Sequence, residues 1–185
     1  MAWIRVIDEA SAEGALRSVY QRLKEGRGKV SNIMAVHSLH PEAMRAHLDL
    51  YTSIMFGSSG LTRPEREMIA LVVSLANRCR YCVDHHAEAL NHYWKDGVKL
   101  SRFLADPGSV ELSPRVRAIL DYALKLTRNP DRVSEEDIEG LRNVGLSDSE
   151  ILSVDLITSY FNFVNRIALG LGVETTPEEV GGYGY

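Results

Sequence analysis

Apolar residues recur at helical spacing along most of the chain, and no stretch alternates cleanly with period two, so an all-α fold is expected. Ser11 is expected to cap a first helix running to about Glu25, with Leu16, Val19, Tyr20 and Leu23 on one stripe and Gly26-Arg27-Gly28 ending it. Val30 to Leu39 is apolar but long enough for only one or two turns. Pro41 can open the next helix, in which Met44, Leu48, Tyr51 and Met55 share a face before Gly57-Ser58-Ser59-Gly60 breaks it. Thr62 stands three residues before Glu65, the spacing of a capping box, and opens a helix through roughly Asn77. Asn77 can then cap a further helix reaching about Lys95. A turn at Asp96-Gly97, a short helix from Ser101 to Ala105 and a loop at Asp106-Pro107-Gly108 follow. Ser113-Pro114 starts an amphipathic helix, with Val116, Ile119, Leu120, Ala123 and Leu124 in one stripe, that ends before Pro130. Ser134 with Asp137 and Ser147 with Glu150 give two more capping-box starts, the second opening the last and most apolar helix, to about Leu171. Pro177 to Tyr185 reads as a flexible tail, loose or ordered only against a neighbouring subunit.

A weak repeat is visible at a constant offset of 85 residues, which aligns Leu61, Thr62, Glu65, Leu71, Ser74 and Asn77 with Leu146, Ser147, Glu150, Leu156, Ser159 and Asn162. The expectation is a helical bundle of one domain over residues 1–176, with a motif-bearing copy near 41–97 and a degenerate copy near 113–173. Where the first copy has Glu67, Cys79, Cys82 and His86, the second has Leu152, Val164, Ile167 and Leu171. Four polar groups in one copy against apolar residues in the other point away from simple packing.

Composition narrows the setting. A chain of 185 residues supports one well-buried core, and 45% hydrophobic with 25% charged residues is ordinary for a globular protein. The net charge of -4, with both signs interleaved, leaves no basic stripe for a nucleic-acid partner. Met68 to Ala76, the longest apolar run, is half of a membrane span, and the N-terminus lacks the apolar block of a signal peptide; no membrane partner and a cytoplasmic location are expected. In a reducing cytosol a lone pair of cysteines is more plausibly catalytic, redox-active or metal-binding than a permanent crosslink.

Cys79 and Cys82 are the only cysteines. On a helix starting at Cys79, Cys82 and His86 follow on the same face, with the two cysteine Cα atoms about 5 Å apart, within disulfide reach. A helix N-terminus, the Arg78 and Arg80 guanidinium groups and an imidazole can each favour a thiolate. His86, one turn beyond Cys82, is placed to be its base, and Glu67 from the preceding helix to orient His86 or pass a proton through water. Peroxide oxidation of one thiolate gives a sulfenic acid, which the other thiol condenses to a disulfide. Cys82 is assigned as the attacking thiol and Cys79 as the resolving one, although the helix dipole favours Cys79. Two blander readings stand beside this: a structural zinc held by Glu67, Cys79, Cys82 and His86, or two core cysteines and a buried histidine. His37, His40 and His47 read as solvated surface around a loop, His85 as exposed or at an interface, and Tyr160, Phe161 and Phe163 as core or subunit contact.

The pattern Glu67, eleven residues, Cys79-Arg80-Tyr81-Cys82, three residues, His86 resembles the alkylhydroperoxidase AhpD-like proteins of the carboxymuconolactone decarboxylase superfamily, particularly their peroxidase-related branch. Leu61-Thr62, Glu65-Arg66-Glu67, Ala76-Asn77, Tyr160 to Arg166 and Gly170-Leu171-Gly172-Val173 are similar too. The resemblance implies an all-helical fold and a thiol-dependent hydroperoxide or disulfide reductase without haem, flavin or metal. It implies assembly as a homo-oligomer, trimer or hexamer, and re-reduction by an external dithiol on a lipoyl-bearing or thioredoxin-like partner. Carried over, Cys82 and Cys79 are the redox pair, with His86 and Glu67 the proton relay. Tyr81 departs from the best-known pattern, which has a second histidine there, and a tyrosine is no base at neutral pH. Acid/base decarboxylase or lactone chemistry and a non-catalytic redox sensor remain the competing classes.

Overall fold

A computed structural model describes residues 2–181, and among them there is no strand. The order is α1 (Gly14–Arg27), α2 (Asn32–Ala35), α3 (Pro41–Phe56), α4 (Arg63–Ala76), α5 (Arg80–Trp94), α6 (Gly97–Ala105), α7 (Pro114–Arg128), α8 (Glu135–Asn143), α9 (Asp148–Gly170) and α10 (Pro177–Val180), with single 3₁₀ turns at Pro107–Ser109 and Pro130–Arg132. The all-α expectation holds.

α4 is the axis of the fold. Every residue from Glu65 to Ser74 is buried, because α5, α7 and α9 pack around it. Ile69, Leu71 and Val73 are fully enclosed, each contributing about 1.5–3 kcal/mol of burial. Around this centre runs the main apolar cluster, which includes Phe103, Ile119, Val154, Ile157 and Phe161. A smaller cluster, with Leu16, Leu23, Met34, Met44 and Leu48, packs α1 on α3. The seam between the two clusters is where the site lies.

Capping fixes where α4 and α9 begin. The Thr62 and Ser147 N–H groups donate to Glu65 at 2.7 Å and Glu150 at 2.8 Å. Arg115 reaches both acids, 3.5 Å from Glu65 and 2.8 Å from Glu150, so one cation joins the two caps. The Ser147 N–H and hydroxyl bonds, with Arg115, draw the Glu150 carboxyl down to about 2. The two positions are related by the offset of 85, as are Asn77 and Asn162, whose amides bond at 3.0 Å. Past Asn77 the likeness ends. α9 runs straight through the equivalent point, whereas α4 stops and Arg78 turns the chain with φ of 56°.

The structure moves several expected boundaries. α1 starts at Gly14, not beyond a Ser11 cap: the Ser11 N–H is held at 2.7 Å by the Asp8 carboxylate, and Gly14 enters with φ of 50°, a conformation open to glycine. It ends at Arg27, with Gly28 at φ of 80° donating back to the Lys24 carbonyl. α6 begins at Gly97 because the Asp96 carboxylate caps the Lys99 N–H. Asn77 does not cap α5: its amide turns to Asn162 and Asn165, and Cys79 is the N-cap. The tail from Pro177, expected to be loose, makes the helical turn α10 and buries Glu179; residues 182–185 lie outside the described residues.

Candidate functional site

Glu67 sits midway along α4 with 1% of its surface exposed. One carboxylate oxygen accepts the His86 Nδ1–H at 2.7 Å, and the other accepts Arg63 Nε–H and Nη2–H at 2.9 and 2.8 Å. Arg63 also donates to the Met55 carbonyl and lies over the Phe56 ring, so it is itself held in place. Burial alone would raise the carboxyl; the His86 hydrogen bond and the positive charges of His86, Arg63 and Arg27 outweigh it, and Glu67 titrates below its ordinary 4.5. With Nδ1 committed to Glu67, His86 has Nε2 as the nitrogen to offer a substrate or thiol. Its ring stands edge-on against Phe161 at 4.4 Å.

The two cysteines sit at the N-terminus of α5, free and buried, with their sulfurs 2.9 Å apart. One proton can therefore be shared between them. The Cys82 side chain and backbone N–H hold Cys79 below the ordinary thiol value. The same contact, then burial and the charge of Cys79, push Cys82 up, against a hydrogen bond from the Asn165 amide. Acidity thus favours Cys79, but access favours Cys82: Cys82 lines the cavity described next, and Cys79 is not among its lining residues. Access weighs more, since a nucleophile must touch its substrate. Of the arginines expected to assist, Arg80 is 92% exposed and turned toward Asp84, and Arg78 is exposed.

A cavity of about 100 Å³ lies between the clusters. Glu67, Cys82 and His86 form part of its wall, and His47 and Tyr160 another part. Leu23, Met34, Leu48 and Val164 make much of the remainder apolar. It therefore suits a small organic molecule better than a hydrated ion.

Three histidine expectations need correction. His47 is only 6% exposed, because α9 covers it; Nε2 lies 2.6 Å from the Tyr160 hydroxyl and Nδ1 3.3 Å from His37 Nε2. His37 is half-buried, with Nδ1 2.9 Å from the Ile33 carbonyl, while His40 alone of the three is exposed, capping the Ala43 N–H. His85 is neither exposed nor at a free surface: its ring stacks on Tyr81 at 4.3 Å, with Nε2 3.4 Å from Glu179. The Tyr81 hydroxyl bonds Glu179 and accepts the Ile33 N–H at 3.0 Å. Tyr160 and Phe161 are core, as expected, and Phe163 is 49% exposed. Among the described residues no group of three or more His, Cys, Asp or Glu is placed to hold a metal ion.

The structure thus brings Glu67, His86, Cys82 and Cys79 together. It adds His47, Tyr160, Asn165 and Glu179, to which the sequence assigned no role.

Residues 41–125 match the model of the carboxymuconolactone decarboxylase family. The fold is similar to that of the alkylhydroperoxidase AhpD core of a peroxidase-related protein from Ralstonia eutropha JMP134, with a TM-score of 0.87 and 30% identity over 97% of this chain and 94% of that one. A peroxidase-related protein from Silicibacter sp. TM1040 is similar as well, with a TM-score of 0.84 and 30% identity over 95% of this chain and 94% of that one. YdfG of Bacillus subtilis strain 168 is 23% identical over 145 residues, 77% of this chain and 96% of that protein.

Proposed function

The chain belongs to the carboxymuconolactone decarboxylase family, in its AhpD-like branch, and from that premise we propose that it reduces organic hydroperoxides through the Cys79/Cys82 dithiol. The observation that carries this is a Cys79–Cys82 sulfur pair at 2.9 Å whose Cys82 shares a cavity wall with a Glu67–His86 pair at 2.7 Å.

In the proposed reaction the Cys82 thiolate attacks the terminal oxygen of the hydroperoxide. The S–O bond forms as the O–O bond breaks, giving a sulfenic acid on Cys82 and an alkoxide that takes a proton to leave as the alcohol. Cys79 then attacks the Cys82 sulfur, the disulfide forms and water departs. An external dithiol, of lipoyl or thioredoxin type, exchanges with the disulfide and restores both thiols. His86 Nε2 receives the Cys82 proton, and Glu67 holds the ring and stabilises the imidazolium. Tyr81 takes no part in the proton path, since its hydroxyl is committed to Glu179 and Ile33.

The protein works as a homo-oligomer in this reading. Leu152, Leu156 and Phe163 are exposed along one side of α9, an apolar stripe that a second copy would cover. No helix among the described residues is long and apolar enough to cross a membrane, which suits a protein that meets its reductant in a reducing cytoplasm.

The test is a thiol count by mass spectrometry before and after one equivalent of hydroperoxide, then after dithiothreitol, with turnover followed under excess dithiol and metal content measured. Loss of both thiols, recovery and many turnovers per chain are expected. Thiols inert to peroxide, or stoichiometric zinc on them, would sink the proposal, and one oxidation without turnover would make the pair a sensor.

A further inference from the structure

Asn165, on α9, is fully buried and lies outside the cavity wall, so it meets Cys82 and not the substrate. Its amide sits in a run of polar contacts that joins α9 to the end of α4. Asn165 Nδ2 is 3.3 Å from the Ser74 hydroxyl, Asn165 Oδ1 is 3.1 Å from Asn77 Nδ2, and the same Nδ2 is 3.0 Å from Asn162 Oδ1. Ser74 is fully buried as well, and its carbonyl accepts the Cys79 N–H at 2.9 Å, so the run is tied to both cysteines. We propose that Asn165 is a preset donor to the Cys82 sulfur, held there by Asn77, and that it stabilises the thiolate which attacks the hydroperoxide. The inference deepens the hydroperoxide reading and rests on its choice of Cys82 as nucleophile.

The network dictates which end of the amide faces sulfur. Arg166 carries only donors, and its Nη1 meets one end of the Asn162 amide at 2.9 Å, so that end is the oxygen. The Thr158 carbonyl only accepts, and it takes the other end at 3.0 Å, which agrees. The Asn77 atom facing the Asn162 oxygen must then be its NH2, and the Asn165 atom facing the same NH2 must be the oxygen. The Asn165 NH2 is left for the opposite side, where its two hydrogens have two acceptors, the Ser74 hydroxyl and the Cys82 sulfur.

A donor at this point meets a specific need. In the resting pair acidity lies with Cys79, whose sulfur takes the Cys82 N–H, while Cys82 is the thiol that faces the cavity. Negative charge reaches Cys82 only as its proton passes to His86 Nε2 and the S–H electron pair stays on sulfur. A buried sulfur has no water to meet that charge, and the polar groups around it are engaged: Glu67 with His86 and Arg63, Tyr160 with His47, and Tyr81 with Glu179. An amide already aimed at the sulfur needs no reorganisation at that moment, and its bond strengthens as the sulfur becomes an anion. Asn77 touches none of the reacting atoms and is a positioning residue.

The experiment uses a Cys79→Ser background, in which Cys82 is the lone thiol. Its alkylation by iodoacetamide is followed by mass spectrometry across pH, with Asn165 and with Asn165→Leu, which keeps the bulk and removes the donor. Losing the bond should move the titration midpoint upward and slow alkylation at pH 7 about tenfold, while the plateau at high pH, where every thiol is ionised, is kept or raised. A second measurement needs no change at Asn165: with isotope-labelled asparagine in the same background, the Asn165 side-chain NH2 signals in the NMR spectrum should shift with the Cys82 midpoint. That measurement decides the matter if Asn165→Leu does not fold. A midpoint unmoved in folded Asn165→Leu, or NH2 signals flat through the titration, would overturn the donor. An Asn165-dependent midpoint in a protein whose Cys82 forms no sulfenic acid with tert-butyl hydroperoxide would uphold the donor and overturn the hydroperoxide reading instead.

Discussion

Replacing Glu67 by Gln removes a charge that three hydrogen bonds from two basic side chains converge on. The amide keeps the shape but offers one acceptor and one donor, so either His86 or Arg63 is left facing an N–H. Both partners are largely buried, at 12% and 14% exposed, so water cannot make good the loss. Breaking a buried pair in this way costs about 3–5 kcal/mol, which for a chain of this size lowers Tm by roughly 6–20 °C. Its catalytic cost is separate: His86 loses the group that fixes its tautomer, and peroxide-driven disulfide formation should fall by about 10²–10⁴-fold. Differential scanning calorimetry and quenched mass spectrometry read the two effects independently. Arg63→Met is the control, since it takes the cation and leaves the carboxylate on His86; it should lower Tm while keeping most of the oxidation rate. The pH dependence follows the same logic. Glu67 titrates lower folded than unfolded, so its contribution is complete above about 4.5 and is lost as pH falls below that value; the Gln variant should lack this acid-side decline. A Glu67→Gln protein with unchanged Tm would refute the energetic reading of the contacts, and one with unchanged rate would make Glu67 purely structural.

Cys82→Ser should abolish peroxide consumption, and Cys79→Ser should leave a sulfenic acid trapped by dimedone; trapping only in Cys82→Ser would reverse the assignment. His47 is held near 4 against an ordinary 6.5, so its stabilising contribution is complete above pH 6.5 and declines as pH falls from 6.5 toward 4, by roughly 3 kcal/mol. Urea denaturation at pH 7 and pH 5 should show that decline in wild type and much less of it in His47→Gln. Glu179→Ala removes the acceptor for Tyr81 and Asn32, and limited proteolysis should then cut within residues 174–181 well before the rest of the chain unfolds. Phe163→Glu places a charge in the exposed stripe of α9 and should lower the mass seen by light scattering; an unchanged mass would remove that stripe from the interface.

Much of this was legible because it is local. The boxes at Thr62/Glu65 and Ser147/Glu150 are set within one turn, and the structure makes both. Cys82 and His86 share a face of α5 and Cys79 is its N-cap, so their spacing alone places them on one end of that helix. Glu67 needed more, and came from the contrast with Leu152 in the repeat. That contrast proved uneven, because beyond Asn77 the two copies follow different paths and Val164, Ile167 and Leu171 occupy no equivalent positions. The contact of His47 with Tyr160 was missed because it spans 113 residues and nothing in the period of α3 distinguishes a histidine facing α9 from one facing water. Glu179 was missed for a related reason: a carboxylate in a tail rich in Gly reads as solvated until the Tyr81 hydroxyl, 98 residues away, is seen beside it.

The left-handed turn at Arg78 has a consequence for distance. Glu67 and His86 are 19 residues apart, and on an unbroken helix they would stand about 28 Å from each other. α9 shows what that alternative looks like, running unbroken for 23 residues through the corresponding point. A single residue with positive φ folds the other copy back on itself and converts a separation the width of the domain into a hydrogen bond of 2.7 Å. The Glu67–His86 contact therefore exists because the chain turns a corner at Arg78, where α9 stays straight.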